Sequence, residues 1–428
     1  MADPVAHGPS LGYMNRLADF IVSSPTSYHT VATLAQSLRQ AGFREFHESL
    51  PWEDVTGRCF FVRDGALVAW LTPRRINERT GLRVVGSHTD SPTLKLKPNA
   101  DYTSAGWQML DMELYGGPLL NSWLDRELGL AGRVVTSAGQ QLLVSTGPIM
   151  RVAQLASHLD RGANEALTLD RQAHMMPLWG VGGPDLSIET VLGGLAGVPD
   201  GQTVAGCDVL AYPTAGPQVF GIRQEFFASS RLDNLVGVFV SLSALLEQGE
   251  LDDIAVLAAF DHEEVGSTTR SGASGPLLED AVVRIADGLG YAGDAYRALL
   301  ARSSCVSVDA AHAVHPNYPH LHDPNNKPLV NAGPVLKMNA NQRYASDAQG
   351  SAVWRRACAA ADVPLQTFVG NNAVPCGSTI GPLTAARLGL TTVDVGIPML
   401  SMHSARELCG TRDPLWLAQA LGAYWAGA

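Results

Sequence analysis

The sequence predicts an α/β protein, a mixed sheet sandwiched by helices with an inserted β-rich domain. Short apolar runs such as Leu82 to Gly86 and Ile254 to Phe260 alternate with segments of helical period. Several of these runs end directly in clusters of polar residues, the arrangement expected where ligands bind beyond the carboxyl ends of strands. Between about residues 97 and 222 the texture changes to short alternating pieces among Gly and Pro. The expected division is a discontinuous main domain, residues 1–96 plus 223–428, interrupted by an insert of residues 97–222.

The stretch from Leu11 to Leu38 has helical period, with Tyr13, Leu17, Phe20 and Ile21 followed by Val31, Leu34, Ala35 and Leu38. Strand-like runs follow at residues 59–63, 67–71 and 82–86, and residues 132–135 and 141–144 read as strands of the insert. Residues 233–246 form a helix pattern that turns Leu235, Val236, Phe239, Val240 and Leu242 toward a core. Residues 254–260 are apolar throughout and read as a buried strand. Residues 306–308 and 392–395 read as further strands, and residues 415–425 as a closing helix.

Composition narrows the function classes. The chain has 428 residues, 46% hydrophobic and 17% charged, which fits a globular protein with a large core. A net charge of −11 argues against nucleic-acid binding. No apolar run reaches the ~18 residues of a membrane span, and no signal peptide is read at the N-terminus, so the expected compartment is the cytoplasm. The six cysteines are scattered without a C-x-x-C pair, which argues against a disulfide framework and a cysteine zinc site.

The polar clusters carry the chemistry. His88 and Asp90 form H-x-D, in which the imidazole suits a metal and the aspartate can hold its tautomer; a loop histidine with a capping aspartate is the bland reading. Asp233 opens a helix pattern, where aspartate serves as an N-cap, so its promotion to a ligand depends on the other clusters. Glu263 and Glu264 follow a buried strand, where two adjacent carboxylates are costly without a cation. One of the pair suits a metal and the other a general base. Asp309 ends a strand, with His312 and His315 nearby, and His403 follows the last strand of the α/β part. Mixed imidazole and carboxylate donors suit zinc, manganese or cobalt rather than calcium. Gly180 to Gly183 lacks the Lys-Ser/Thr of a P-loop, and residues 377–381 match a nucleophile elbow only loosely, which disfavours a serine hydrolase.

In order along the chain, GSHTDSP (86–92), SRLDNL (230–235), DHEEVGS (261–267), VDAAHAVHPNY (308–318), KMNANQRY (337–344) and SMHSARE (401–407) resemble the aspartyl aminopeptidase family of zinc metallopeptidases over nearly the whole length. The resemblance implies a catalytic zinc-peptidase domain interrupted by a lid or dimerisation domain, and dimers assembling to a dodecamer. It implies two zinc ions held by His88, Asp233, Glu264, Asp309 and His403, with Asp233 bridging and Glu263 as general base. His158, whose own reading is a histidine on a helix surface, would reach a neighbouring subunit's substrate. Lys337 would meet an acidic N-terminal side chain, with Arg343 and Tyr344 beside it. The activity so implied is removal of an N-terminal residue, Asp or Glu included, from peptides. Two competing readings are a two-metal deacylase of N-acyl amino acids and a metal-free peptidase-like scaffold that binds other proteins.

Overall fold

A computed structural model describes residues 8–183 and 186–428. Its centre is a nine-stranded mixed sheet. Four neighbouring strands, Ile254–Phe260, Leu82–His88, Ser304–Val308 and Thr391–Gly396, run parallel in that order. On one side Ala66–Leu71, Arg58–Arg63 and Arg44–Phe46 extend the sheet, and on the other Val335–Met338 and Gln366–Val369.

The apolar runs lack a polar face because both faces are covered. Along Ile254–Phe260 alternate side chains enter two different cores: Ala255, Leu257 and Ala259 pack with the helices Gly8–Val22, Ser27–Gln40, Leu232–Leu246, Ala348–Ala360 and Asp413–Trp425. Ile254, Val256, Ala258 and Phe260 pack with Leu277–Gly288, Asp294–Ala301 and Ile380–Leu388. The period of two thus sorts one apolar run between two helical layers. The first helical stretch is two helices rather than one, Gly8–Val22 and Ser27–Gln40, with Pro25 in the break between them.

A separate antiparallel sheet of six strands is built from residues 93–213. Its order is Gln141–Ser145, Leu128–Thr136, Val204–Pro213, Thr93–Ser104, Trp107–Tyr115 and Leu178–Val181. It has its own core around Leu94, Leu110, Met112, Leu130, Val134 and Val209, and Ala405 from the far end of the chain is part of that core. A five-stranded sheet joins Gln218–Phe220, Phe226–Ser229, Glu407–Gly410, Pro398–Leu400 and Ala311–His312.

Close backbone approach explains one glycine at the carboxyl end of the parallel strands. A Cβ on Gly396 would lie 1.7 Å from the Asp309 carbonyl oxygen. Gly396→Ala is expected to cost roughly 1–3 kcal/mol, as overpacked sites do, measured as a lowered denaturant midpoint. No helix of the described residues is long and apolar enough to cross a membrane.

Candidate metal centre

The four parallel strands end side by side, and their ends deliver the polar clusters to one place. His88 is the last residue of its strand, Asp309 follows Val308, and Glu263 and Glu264 form a short turn after Phe260. Asp233 comes from the entry to the Leu232–Leu246 helix, and His403 from the loop before Glu407–Gly410. The Asp233 carboxylate does not serve as an N-cap: Oδ1 is buried without a hydrogen-bond partner, and the two oxygens face His88 and His403.

The donor atoms form two triads that share one carboxylate. His88 Nε2 lies 3.2 Å from Asp233 Oδ1 and 3.3 Å from Asp309 Oδ1. His403 Nε2 lies 3.6 Å from Asp233 Oδ2 and 3.5 Å from Glu264 Oε2. A tetrahedral zinc with ligands at about 2.0–2.2 Å sets neighbouring donor atoms roughly 3.3–3.6 Å apart. Asp233 Oδ1 and Glu264 Oε1 are buried without a hydrogen-bond partner, the state of a lone pair reserved for a cation. His88, Asp233 and Glu264 each place a donor atom within 4.8 Å of the others, so they can hold an ion.

Electrostatics say the same. Burial, then Asp233, Asp90 and Glu263, pushes Glu264 well above the usual carboxyl range, and burial, then Asp309, Asp233 and Asp90, lifts Glu263 to about 7. Burial alone would raise Asp233 too, but His403 and His88 hold it well below. Burial works against a charge on His88, yet Asp233, Asp309 and Asp90 raise it well above its ordinary value. So much buried negative charge is stable only with positive charge among it.

Two further carboxylates hold the ligands in place. Asp90 accepts from the backbone N–H groups of Glu263 (3.0 Å) and Glu264 (3.1 Å) and from the Tyr115 hydroxyl (2.7 Å). The Asp90 carbonyl lies 3.0 Å from His88 Nδ1 and its carboxylate 3.5 Å from the same atom, which leaves Nε2 for the centre. Glu407 accepts from the N–H groups of Asp233 and His403. On the outer side, His403 Nδ1 lies 3.0 Å from the Gly117 carbonyl.

The triads open into a cleft of about 330 Å³ that Glu263, His312, Lys337, Tyr344, Thr379 and Met402 also line. The cleft thus collects every expected ligand, together with Glu263, Lys337 and Tyr344. Lys337 is 1% exposed. Its ammonium donates to the Ala310 carbonyl at 2.9 Å, lies 3.5 Å from Asp309 Oδ2, and sits over the Tyr344 ring. Arg343 is exposed beside the Gly377 carbonyl. His315 packs at a tilt against the Tyr318 ring and is not part of the cleft lining. His158 is on no helix; it lies exposed in a turn, apart from the cleft. Tyr115, Gly117 and Glu407 escaped the sequence reading. Glu407 lies inside the SMHSARE string, where the sequence reading singles out only His403.

A family model described as aminopeptidase I zinc metalloprotease (M18) matches residues 20–425. The chain is similar to a protein of Streptomyces coelicolor named "Probable M18 family aminopeptidase 2", 47% identical over 421 residues, 96% of this chain and 97% of the other. Among solved structures it is similar to a chain in the cryo-EM structure of the Ape4 and Nbr1 complex, with a TM-score of 0.93 and 32% identity over 98% of this chain and 86% of that one. It is also similar to a chain of the mApe1 dodecamer of S. cerevesiae, with a TM-score of 0.84 and 27% identity over 96% of each chain. The chain therefore belongs to the M18 family of zinc aminopeptidases, metal-dependent hydrolases of peptide bonds.

Proposed function

We propose that this enzyme removes the N-terminal residue of peptides with two divalent ions per chain, and one observation carries the reading: the two oxygens of Asp233 face two different triads. His88 and Asp309 complete one triad, and Glu264 and His403 the other. Zinc fits the donor set, and manganese or cobalt fits the same residues. Two ions so placed supply positive charge that polarises a scissile carbonyl and makes an attacking water more acidic.

The chain's own residues do the rest. Glu263 lines the cleft without being a triad member, so its carboxylate is free to take the proton of the attacking water and return it to the leaving nitrogen. Asp90 fixes that turn by holding both its N–H groups, and orients His88 at the same time. Tyr344 and Lys337 form the wall where the N-terminal side chain would lie.

An acidic preference rests on Lys337 meeting a substrate carboxylate. Its ammonium is already shared between the Ala310 carbonyl and Asp309, so the same lysine also braces a ligand. Lys337→Met separates the two roles. Loss of hydrolysis for Asp and Glu alone assigns specificity; an equal loss for Asp, Glu, Leu and Lys substrates assigns support of Asp309. The parent reading is tested on that panel with free and blocked N-termini, before and after chelation. Hydrolysis of free N-termini only, lost with chelator and restored by metal, is expected. Cleavage of blocked substrates alone would replace the reading with a deacylase, and loss-free behaviour under chelation would remove the metals from it.

The insert, residues 97–222, would act as lid and dimerisation element, in a homo-oligomer like the dodecamer of the S. cerevesiae relative. The exposed turn of His158 is flanked by exposed Leu155 and Leu159, at 56% and 75%, which suits a surface that another subunit covers and a histidine that reaches a neighbour's substrate.

A further inference from the structure

Asp90 has a counterpart on the other side of the centre. Glu407 is 1% exposed and opens the strand Glu407–Gly410, where it pairs with Ser229. That register sets its side chain beneath both the 230–233 turn and the 401–406 loop. One oxygen, Oε2, accepts from the Asp233 N–H at 3.0 Å, and the other, Oε1, accepts from the His403 N–H at 2.7 Å. Both partners are donors, and both belong to residues of the triad that Glu264 completes.

We propose that Glu407 is the positioning residue of that triad: a buried carboxylate that sets the spacing of Asp233 and His403 and thereby the affinity for the second ion. This rests on the two-ion reading above. Glu407 touches neither substrate nor ion; it acts through two backbones. Glu407 offers an oxygen to each N–H, whereas an amide would present N–H to one of them. A donor facing a buried donor leaves both unsatisfied, and the loop carrying that N–H moves away. The His88–Asp309 triad shares Asp233, but its other two members are held elsewhere, His88 against Asp90 and Asp309 against Lys337, so its spacing changes less.

The test is a series, wild type, Glu407→Gln and Glu407→Asp, with zinc titrated against a competing chelator and cobalt spectra recorded on each protein. For Glu407→Gln the expected result is loss of one of two ions, its affinity weakened about 10–100-fold as for other residues that orient metal ligands, with the first ion weakened less. Excess zinc then restores hydrolysis. Glu407→Asp keeps the charge but reaches only one N–H, and is expected to fall between the two. Two ions held with wild-type affinity in both variants would overturn the proposal, as would equal weakening of both ions, which marks general damage to the fold. Failure of the two-ion reading shows differently, as fewer than two ions in the wild type itself.

Discussion

Glu263→Gln is expected to lower kcat by about 10²–10⁴-fold, the range of a lost general base, with zinc content and KM near wild type. The side chain lines the cleft but is no member of either triad, so the amide should leave the donor spacing intact. The amide keeps the volume and loses only the ability to accept and return a proton. The Glu263 backbone N–H remains on Asp90, so the turn does not move. The check is steady-state kinetics on an unblocked aminoacyl substrate, paired with metal analysis of the same sample. Activity within tenfold of wild type would remove Glu263 as the base. Loss of zinc in the variant would instead make it a ligand.

Asp233→Asn is expected to be at least as damaging, by a different route. The amide offers one oxygen where two triads each need one, and its N–H₂ would point at a cation. Metal analysis is expected to fall from about two ions per chain toward one or none, with hydrolysis abolished and not restored by excess zinc. That irreversibility separates it from Glu407→Gln. Stability should follow the metal. An ion bound only by the folded chain contributes about 4 kcal/mol when present at 1,000 times its dissociation constant. Chelation should therefore lower the wild-type melting temperature, and the variant should lose less on chelation because it holds less. An unchanged melting temperature on chelating the wild type would mean that no ion is held tightly.

The sequence displayed the parallel part of this fold because each strand is buried on both faces. A run such as Ile254 to Phe260 needs no alternation when alternate residues meet two different helical layers. Burial there also forces polar groups to the strand ends, which is why His88, Asp309 and the Glu263–Glu264 pair stood out. The break at Pro25 was harder to see, since helical period continues on both sides of it. Asp233 looked like an N-cap because the residues after it are helical; only the three-dimensional placement of His88 and His403 shows what its carboxylate faces. Tyr115 and Gly117 were invisible for another reason. A hydroxyl and a backbone carbonyl carry no sequence signal until the fold sets them against Asp90 and His403.

Those two contacts come from the small sheet, not the large one. Tyr115 ends the strand Trp107–Tyr115, and Gly117 lies two residues further on. Nearby, the Leu119 N–H donates to the His403 carbonyl, the Ser122 hydroxyl accepts from the Ala405 N–H, and Ala405 is buried in the insert's core. The loop that carries His403 is thus stitched to the insert along its length. Thermodynamic reciprocity then applies: whatever the insert's attitude does to His403, an ion on His403 does to the insert's attitude, by the same free energy. Occupancy of the proposed second ion would therefore shift with any change in how the 116–119 connection meets His403.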